Sequence, residues 1–345
     1  MLRTEDGGYL WQTCAIPPGA EKLDFRGVQA FDENTAIVMS SGPGDQSRLY
    51  KTTDGCQTWK LIFTNPDKDG FWDSIRFDFL PKKRQSNDHR SGVLVGDPVN
   101  GQFAVYTTQN GGDSWEIWAK DDEVNAYKRL GPINANTRES LFAASNSVVV
   151  TLRPNEIRFI TGGEGGSRLF SAEPHNPFDN ETKFKFTVTK LPFSSNKSSG
   201  AFSIASRQTQ PYKDDLMVVG GNYESPDSVG ACAYLPHREN NSLGGVVFFG
   251  SERQRVISST TPPHGYRSAV AWDADQKLWI TVGPNGTDIS NDDGKNWRPL
   301  TPSPTDPEDT DKNWNALSLP FVVGPHGRIG RLRTIDQKAA VTKKP

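Results

Sequence analysis

One eight-residue pattern recurs four times in this chain. Thr4-Glu-Asp6-Gly-Gly8-Tyr-Leu-Trp11 returns as Thr52-Thr-Asp54-Gly-Cys-Gln-Thr58-Trp59, as Thr108-Gln-Asn110-Gly-Gly112-Asp-Ser114-Trp115 and as Ser290-Asn-Asp292-Asp-Gly294-Lys-Asn-Trp297. The template S/T-x-D-x-G-x-x-W describes a tight hairpin. An Asp or Asn side chain can accept backbone N–H groups a few residues on and so close the turn. Glycine supplies the positive φ that a Cβ would oppose, and the Trp opens the following strand as a large apolar wedge. Asp6, Trp11, Asp54, Trp59, Asn110, Trp115, Asp292 and Trp297 therefore read as structural fasteners, not reactive groups.

A second repeat runs through the same chain. Six times a short apolar strand ends near Gly, a polar loop follows and another strand begins: AIVMSSGPGDQSRLYKT, GVLVGDPVNGQFAVYTT, IRFITGGEGGSRLFSA, LMVVGGNYESPDSVGACAYL, LWITVGPNGTDIS and FVVGPHGRIGRL. Each is preceded by a short apolar run, at 28–31, 75–79, 141–144, 202–205, 269–272 and 316–319. Units of four short antiparallel strands, at intervals of about 40–60 residues, are the mark of propeller blades.

The expectation is an all-β, six-bladed propeller over residues 1–333, with 334–345 as a polar, basic tail. The last unit, 315–332, supplies three strands and the N-terminal segment, 2–16, supplies a turn and a fourth strand, so the N-terminal strand closes the ring. A third strand at residues 1–4 would make seven blades the alternative. Blades three and four lack the turn motif and carry polar insertions at 174–185 and 237–245.

The repeated turns and the phrases LDFRGVQAFD, SRLYKTTDGCQTWKLIFTNP, GVLVGDPVNGQF, GYRSAVAW and VGPNGTDISNDDGKNW resemble the Asp-box (BNR-like) propellers. In particular they resemble a bacterial group labelled "oxidoreductase" and related to photosystem II assembly and stability factors. The resemblance implies a binding or assembly module. The Asp-box itself also occurs in sialidases and other carbohydrate-active enzymes, so it speaks for fold only.

Composition narrows the partners. Hydrophobic residues are 34% of the chain and the formal charge is −2, so no overall basic field holds nucleic acid. No apolar run reaches the roughly 20 residues of a membrane span, and a monomer is expected. The opening residues contain no apolar signal-peptide core; the expected compartment is extracytoplasmic if a leader was removed, and cytoplasmic otherwise. Cys14, Cys56 and Cys232 read as buried or half-buried thiols, with a Cys14–Cys56 bridge as the other reading.

No cofactor or metal is expected. The Gly-rich runs at 42–44 and 162–166 fit no dinucleotide fingerprint. The five His residues, His89, His175, His237, His264 and His326, show no H-x-H or H-E-x-x-H spacing. The basic run Lys82-Lys83-Arg84 with His89 and Arg90, and the acidic run 306–311, read as solvated loops.

Arginines fall at places that share one face of a propeller, opposite the repeated turns. Arg26 and Arg267 begin first strands; Arg48, Arg168 and Arg328 begin third strands. Beside them stand Asp73, Asp97, Tyr223, Glu224, Asp227, Tyr266 and Asp288. Two readings follow: salt bridges between blades, or a channel-mouth site for an anionic ligand or acidic peptide. The expected function is a non-catalytic scaffold that binds a protein partner, or an anionic or carbohydrate ligand, there. The alternative is a sialidase-like or other glycoside hydrolase, which needs two carboxylates about 5–10 Å apart beside the arginines. No catalytic residue is assigned.

Overall fold

Continuous buried runs along short strands, as at Leu278–Gly283 and Gly286–Ser290, require sheets that pack on both faces, and the chain solves this as a ring. The computed structural model describes residues 1–77, 90–118, 132–153, 156–174, 184–211, 213–237 and 254–335. The basic run 82–84 with His89, His175, most of both insertions and all but the first two residues of the tail lie outside the described residues. Arg90 and the acidic run 306–311 lie within them.

The architecture is a six-bladed β-propeller of antiparallel sheets. Blade 1 comprises Phe25–Ala30, Ala36–Ser40, Arg48–Thr52 and Lys60–Thr64; blade 2, Trp72–Phe77, Gly92–Val99, Gln102–Thr108 and Glu116–Ile117. Blade 3 comprises Val149–Arg153, Glu156–Ile160, Arg168–Pro174 and Phe184–Lys190; blade 4, Ser199–Gln210, Lys213–Asn222, Ala231–Leu235 and Ile257–Ser258. Blade 5 comprises Ala269–Asp273, Leu278–Gly283, Gly286–Ser290 and Arg298–Pro299, and blade 6 Ala316–Ser318, Phe321–Val323 and Ile329–Arg331. Two short strands, Gly162–Gly163 and Glu139–Ser140, widen blade 4 at its inner edge.

Apolar clusters lie between successive blades. Ile37 and Met39 of blade 1 meet Trp72, Ile75 and Phe77 of blade 2, and Met217 and Val219 of blade 4 meet Val270, Trp279 and Trp297 of blade 5. Burying such side chains stabilises each contact by roughly 1.5–3 kcal/mol per residue.

All four repeated turns close in one way. Thr4, Thr52, Thr108 and Ser290 donate to the carboxylate or amide oxygen of Asp6, Asp54, Asn110 and Asp292 at 2.8–2.9 Å. The same oxygens accept the N–H of Leu10, Thr58, Ser114 and Asn296 at 2.9–3.0 Å. The residue at the template's glycine has φ of 95° at Gly8, 88° at Gly112 and 71° at Gly294. In the second turn Cys56 holds that left-handed conformation with φ 66°.

The reason for that exception is covalent. Cys14 and Cys56 form a disulfide with Cα atoms 5.2 Å apart, which corrects the reading of three free thiols. Only Cys232 is free, and it is buried.

The N-terminal segment closes the ring as expected, but as a wedge and not as a fourth strand added to the last sheet. Leu2–Arg3 pairs with Gln12–Thr13 in a sheet of its own. Trp11 packs edge-on against Phe321 of blade 6 at 5.8 Å, while Cys14 and the Ala15 carbonyl are tied to Cys56 and Trp59 of blade 1. Blade 3 holds a second correction. Its innermost strand is Val149–Arg153, and residues 141–144, expected as that strand, instead begin a loop across the channel.

Candidate functional site at the channel mouth

Because each blade's first strand starts at the same end of the ring, residues just before those strands converge on the channel axis. The loop 141–147 occupies that point. Leu141 N–H donates to Asp97 Oδ1 at 2.8 Å, and Arg26 donates to the Ala143 carbonyl at 3.3 Å. Asn146 Oδ1 accepts the Ser74 hydroxyl at 3.2 Å and the Ile75 N–H at 2.8 Å. Ser145 donates to the Ser268 carbonyl at 2.6 Å, and Ser147 bonds Ser203 at 2.7 Å. The loop thus binds blades 1, 2, 4 and 5 at once. Sequence reasoning missed it, and its signal was the run of small polar residues Ser145-Asn146-Ser147 between two apolar stretches.

Beneath the loop lies a pair of carboxyls. Asp73 is 1% exposed, and its Oδ2 has no hydrogen-bond partner. Burial pushes its pKa well above the carboxylate range and Asp97 pushes the same way, against a smaller pull from Arg26. Burial also raises Asp97, to about 6, with the Leu141 N–H opposing. Both carboxyls are thus biased toward the protonated form relative to a carboxyl in water. Arg26 stands above, half in solvent, on Asp24 at 2.8 Å.

An aromatic group completes the mouth. Phe142 stacks on Phe202 at 4.0 Å, Tyr266 meets Phe202 edge-on at 4.7 Å, and Tyr223 lies 6.1 Å from both phenylalanines. The contact requires glycine beneath it, because a Cβ on Gly162 would meet the Phe142 ring at 2.4 Å. Tyr223 is 44% exposed and Glu224 is exposed beside it. Tyr266 is buried, which raises its phenol above the ordinary range.

The remaining expected residues do not join this centre. Arg267 and Asp288 form a fully buried pair, with Asn285 and His264 on the same groups. Burial pulls the Arg267 guanidinium down and Asp288 opposes it. Asp227 stays on the surface, 3.3 Å from the Asn285 amide. Arg48 bonds the Asp45 carbonyl at 2.5 Å. Arg168 pairs with buried Glu139 and lies over Phe170. Arg328 pairs with Asp309 at 2.6 Å over the Trp314 ring. A shallow pocket of about 320 Å³ lies nearby, lined by Arg138, Ser140, Gly163, Glu164 and Lys197.

Among the described residues, no three His, Cys, Asp or Glu side chains converge as metal ligands, and no helix is long and apolar enough to cross a membrane.

No model of a known protein family matches the chain, and no curated protein matches it. Solved structures do. YCF48 bound to a peptide of D1 is 15% identical over 89% of this chain and 77% of that one, with a TM-score of 0.46. YCF48 from Cyanidioschyzon merolae is 17% identical over 86% and 77%, TM-score 0.45. An α-L-arabinofuranosidase from Fusarium graminearum with an iminosugar inhibitor is 12% identical over 85% and 86%, TM-score 0.44.

Proposed function

We propose that this chain is a non-catalytic binding or assembly scaffold of the Asp-box kind, related to the photosystem II assembly factors. Its channel mouth receives a protein partner or an anionic ligand. The observation that carries this reading is the division of the mouth into a sealed part and an accessible part. Asp73 lies sealed under the loop 141–147, while Arg26, Tyr223 and Glu224 face solvent. A tyrosine beside separated charges on a rigid ring is the composition of a recognition surface. The Cys14–Cys56 disulfide supports an extracytoplasmic location, since such bonds persist in oxidising compartments.

The second reading, glycoside hydrolysis, rests on the carboxyl pair. Asp97, with its pKa near 6 and next to buried Asp73, is the group that would serve as general acid.

One experiment separates the two. Fluorescein-labelled hexaglutamate is titrated into wild-type protein and Arg26→Ala, and both wild type and Asp97→Asn are assayed on a panel of nitrophenyl glycosides. The scaffold reading expects saturable peptide binding that weakens in Arg26→Ala, and no glycoside turnover. Turnover abolished in Asp97→Asn would transfer the site to the hydrolase reading.

A further inference from the structure

A cleft of about 320 Å³ opens beside the channel mouth, lined by Arg138, Ser140, Gly163, Glu164 and Lys197. Glu164 belongs to the hairpin between the second and third strands of blade 3, and Lys197 to the loop that enters blade 4. Main-chain bonds fix both walls. Gly165 N–H donates to the Arg138 carbonyl at 3.0 Å, and Asn136 Nδ2 donates to the Gly165 carbonyl at 2.9 Å. On the other wall Asn196 Oδ1 accepts the Ser198 N–H at 3.0 Å, in a turn with Lys197 at its apex. The floor requires glycine. With φ at 85°, a Cβ on Gly163 would lie 2.8 Å from the Arg138 carbonyl oxygen and 3.0 Å from Ser140 Oγ. Arg138 itself has φ 60°, an unfavourable backbone for a residue with a Cβ, which persists only where its surroundings hold it.

Charge in the cleft is unbalanced. Arg138 donates to Glu164 Oε2 at 2.6 Å, with both side chains exposed, and among the described residues no ion pair holds Lys197. Two cations therefore share one carboxylate. Both walls also lead to aromatic rings. Phe142 follows Ser140 by two residues, and the Ser198 carbonyl, next to Lys197, accepts the Tyr223 N–H at 3.1 Å. Tyr223 in turn meets the Phe142 ring at 6.1 Å.

We propose that this cleft is a carboxylate subsite, whose ligand carries an aromatic ring next to the carboxylate. Glu164 shows what the Arg138 guanidinium accepts. An exposed pair of this kind contributes little, so the ligand's carboxylate replaces Glu164 on Arg138, two oxygens on two N–H groups, and gains Lys197 as well. The ligand's ring lies against Tyr223 and Phe142. A free aromatic acid, and an acidic residue beside an aromatic one in a peptide, share this chemistry. The subsite rests on the mouth being a binding face, and it puts the anion on Arg138 and Lys197 in addition to Arg26.

The test uses the full chain and two amide-capped peptides with an uncharged BODIPY label, Gly-Gly-Glu-Phe-Gly-Gly and its Gln counterpart, in fluorescence anisotropy. The Glu peptide is expected to bind saturably, and the Gln peptide about tenfold or more weakly, since a charged hydrogen bond is lost. Arg138→Ala and Lys197→Ala are each expected to weaken the Glu peptide about tenfold, and Glu164→Gln to strengthen it. Lys295→Ala, in the exposed turn of blade 5 on the opposite face, is expected to leave it unchanged, and thermal melting checks that each variant folds. N-acetylphenylalanine is expected to displace the labelled peptide and its amide is not. Displacement by the unlabelled Glu peptide alone would assign the carboxylate to a peptide source. Equal binding of the two peptides, equal displacement by inorganic phosphate, or binding untouched in both Arg138→Ala and Lys197→Ala would overturn the subsite. In that last case, hexaglutamate binding that still weakens in Arg26→Ala would leave the scaffold reading standing. No binding of any peptide to the wild type would remove both.

Discussion

Arg267 donates its Nε to Asp288 Oδ2 at 2.8 Å, and both side chains are fully buried beneath the channel mouth. Two charges withdrawn from water are compensated by each other and by Asn285 and His264. Removing one partner strands the other. Asp288→Ala is therefore expected to destabilise the protein by roughly 3–5 kcal/mol in urea denaturation, and the double change Arg267→Met with Asp288→Leu to recover most of that loss. A loss under about 1 kcal/mol for Asp288→Ala would mean that water reaches the pair.

The carboxyls at Asp73 and Asp97 give stability a pH dependence of defined sign. Both pKa values are raised in the folded protein, Asp97 to about 6. Such a group stabilises the fold below its ordinary unfolded value near 3.8, and that contribution is lost as pH rises through about 6. Between pH 5 and pH 8 the Asp97 contribution is expected to fall by roughly 1.4 kcal/mol, the earlier part of the loss lying between about 3.8 and 5. Asp97→Asn should flatten the profile, and a wild-type urea midpoint unchanged over this range would refute the assignment. Asp54 acts in the opposite sense. The Thr58 hydroxyl and N–H hold its carboxylate at about 2, so its contribution is present above the ordinary value and lost as pH falls toward 2.

Cys56 occupies a left-handed position that the other three turns give to glycine. Losing the disulfide, which spans a sequence separation of 42, is expected to cost roughly 2–4 kcal/mol. Cys14→Ser keeps the strained Cys56 backbone, whereas Cys56→Gly relieves roughly 1–2 kcal/mol of it. Thermal melting should therefore rank wild type above Cys56→Gly, and Cys56→Gly above Cys14→Ser. Equal melting of the two variants would show that the left-handed residue carries no cost.

Asn146 serves the loop in two ways, as acceptor for Ser74 and Ile75 and as a residue with φ 56°. Asn146→Ala leaves a buried N–H unpaired and is expected to cost roughly 1–3 kcal/mol. Asn146→Gly loses the same acceptor but accepts the backbone angle, so urea denaturation should find it the milder change. The reverse order would place the loop's anchorage in its other hydrogen bonds.

The ring of blades was legible because its causes are local. A Thr, an Asp and a Gly within five residues close a turn wherever they occur, and the Trp after it must find apolar cover. The loop 141–147 was misread for a related reason: Leu141-Phe142-Ala143-Ala144 has the composition of a first strand, but Asp97, Arg26 and Asp73 take up its backbone groups from other blades. The arginine positions were readable and their partners were not. Glu139 precedes Arg168 by 29 residues and Asp309 precedes Arg328 by 19, distances over which sequence carries no contact information.

What the sequence determined by itself was the repeating unit and the turn chemistry, because hydrophobic patterning and turn closure are set within a few neighbouring residues. The tertiary structure alone decided which carboxyl is buried, which arginine faces water, where the hairpin wedges and which thiols meet. Those outcomes depend on distances between separate blades, and burial and charge pairing exist only once the ring has brought the blades together.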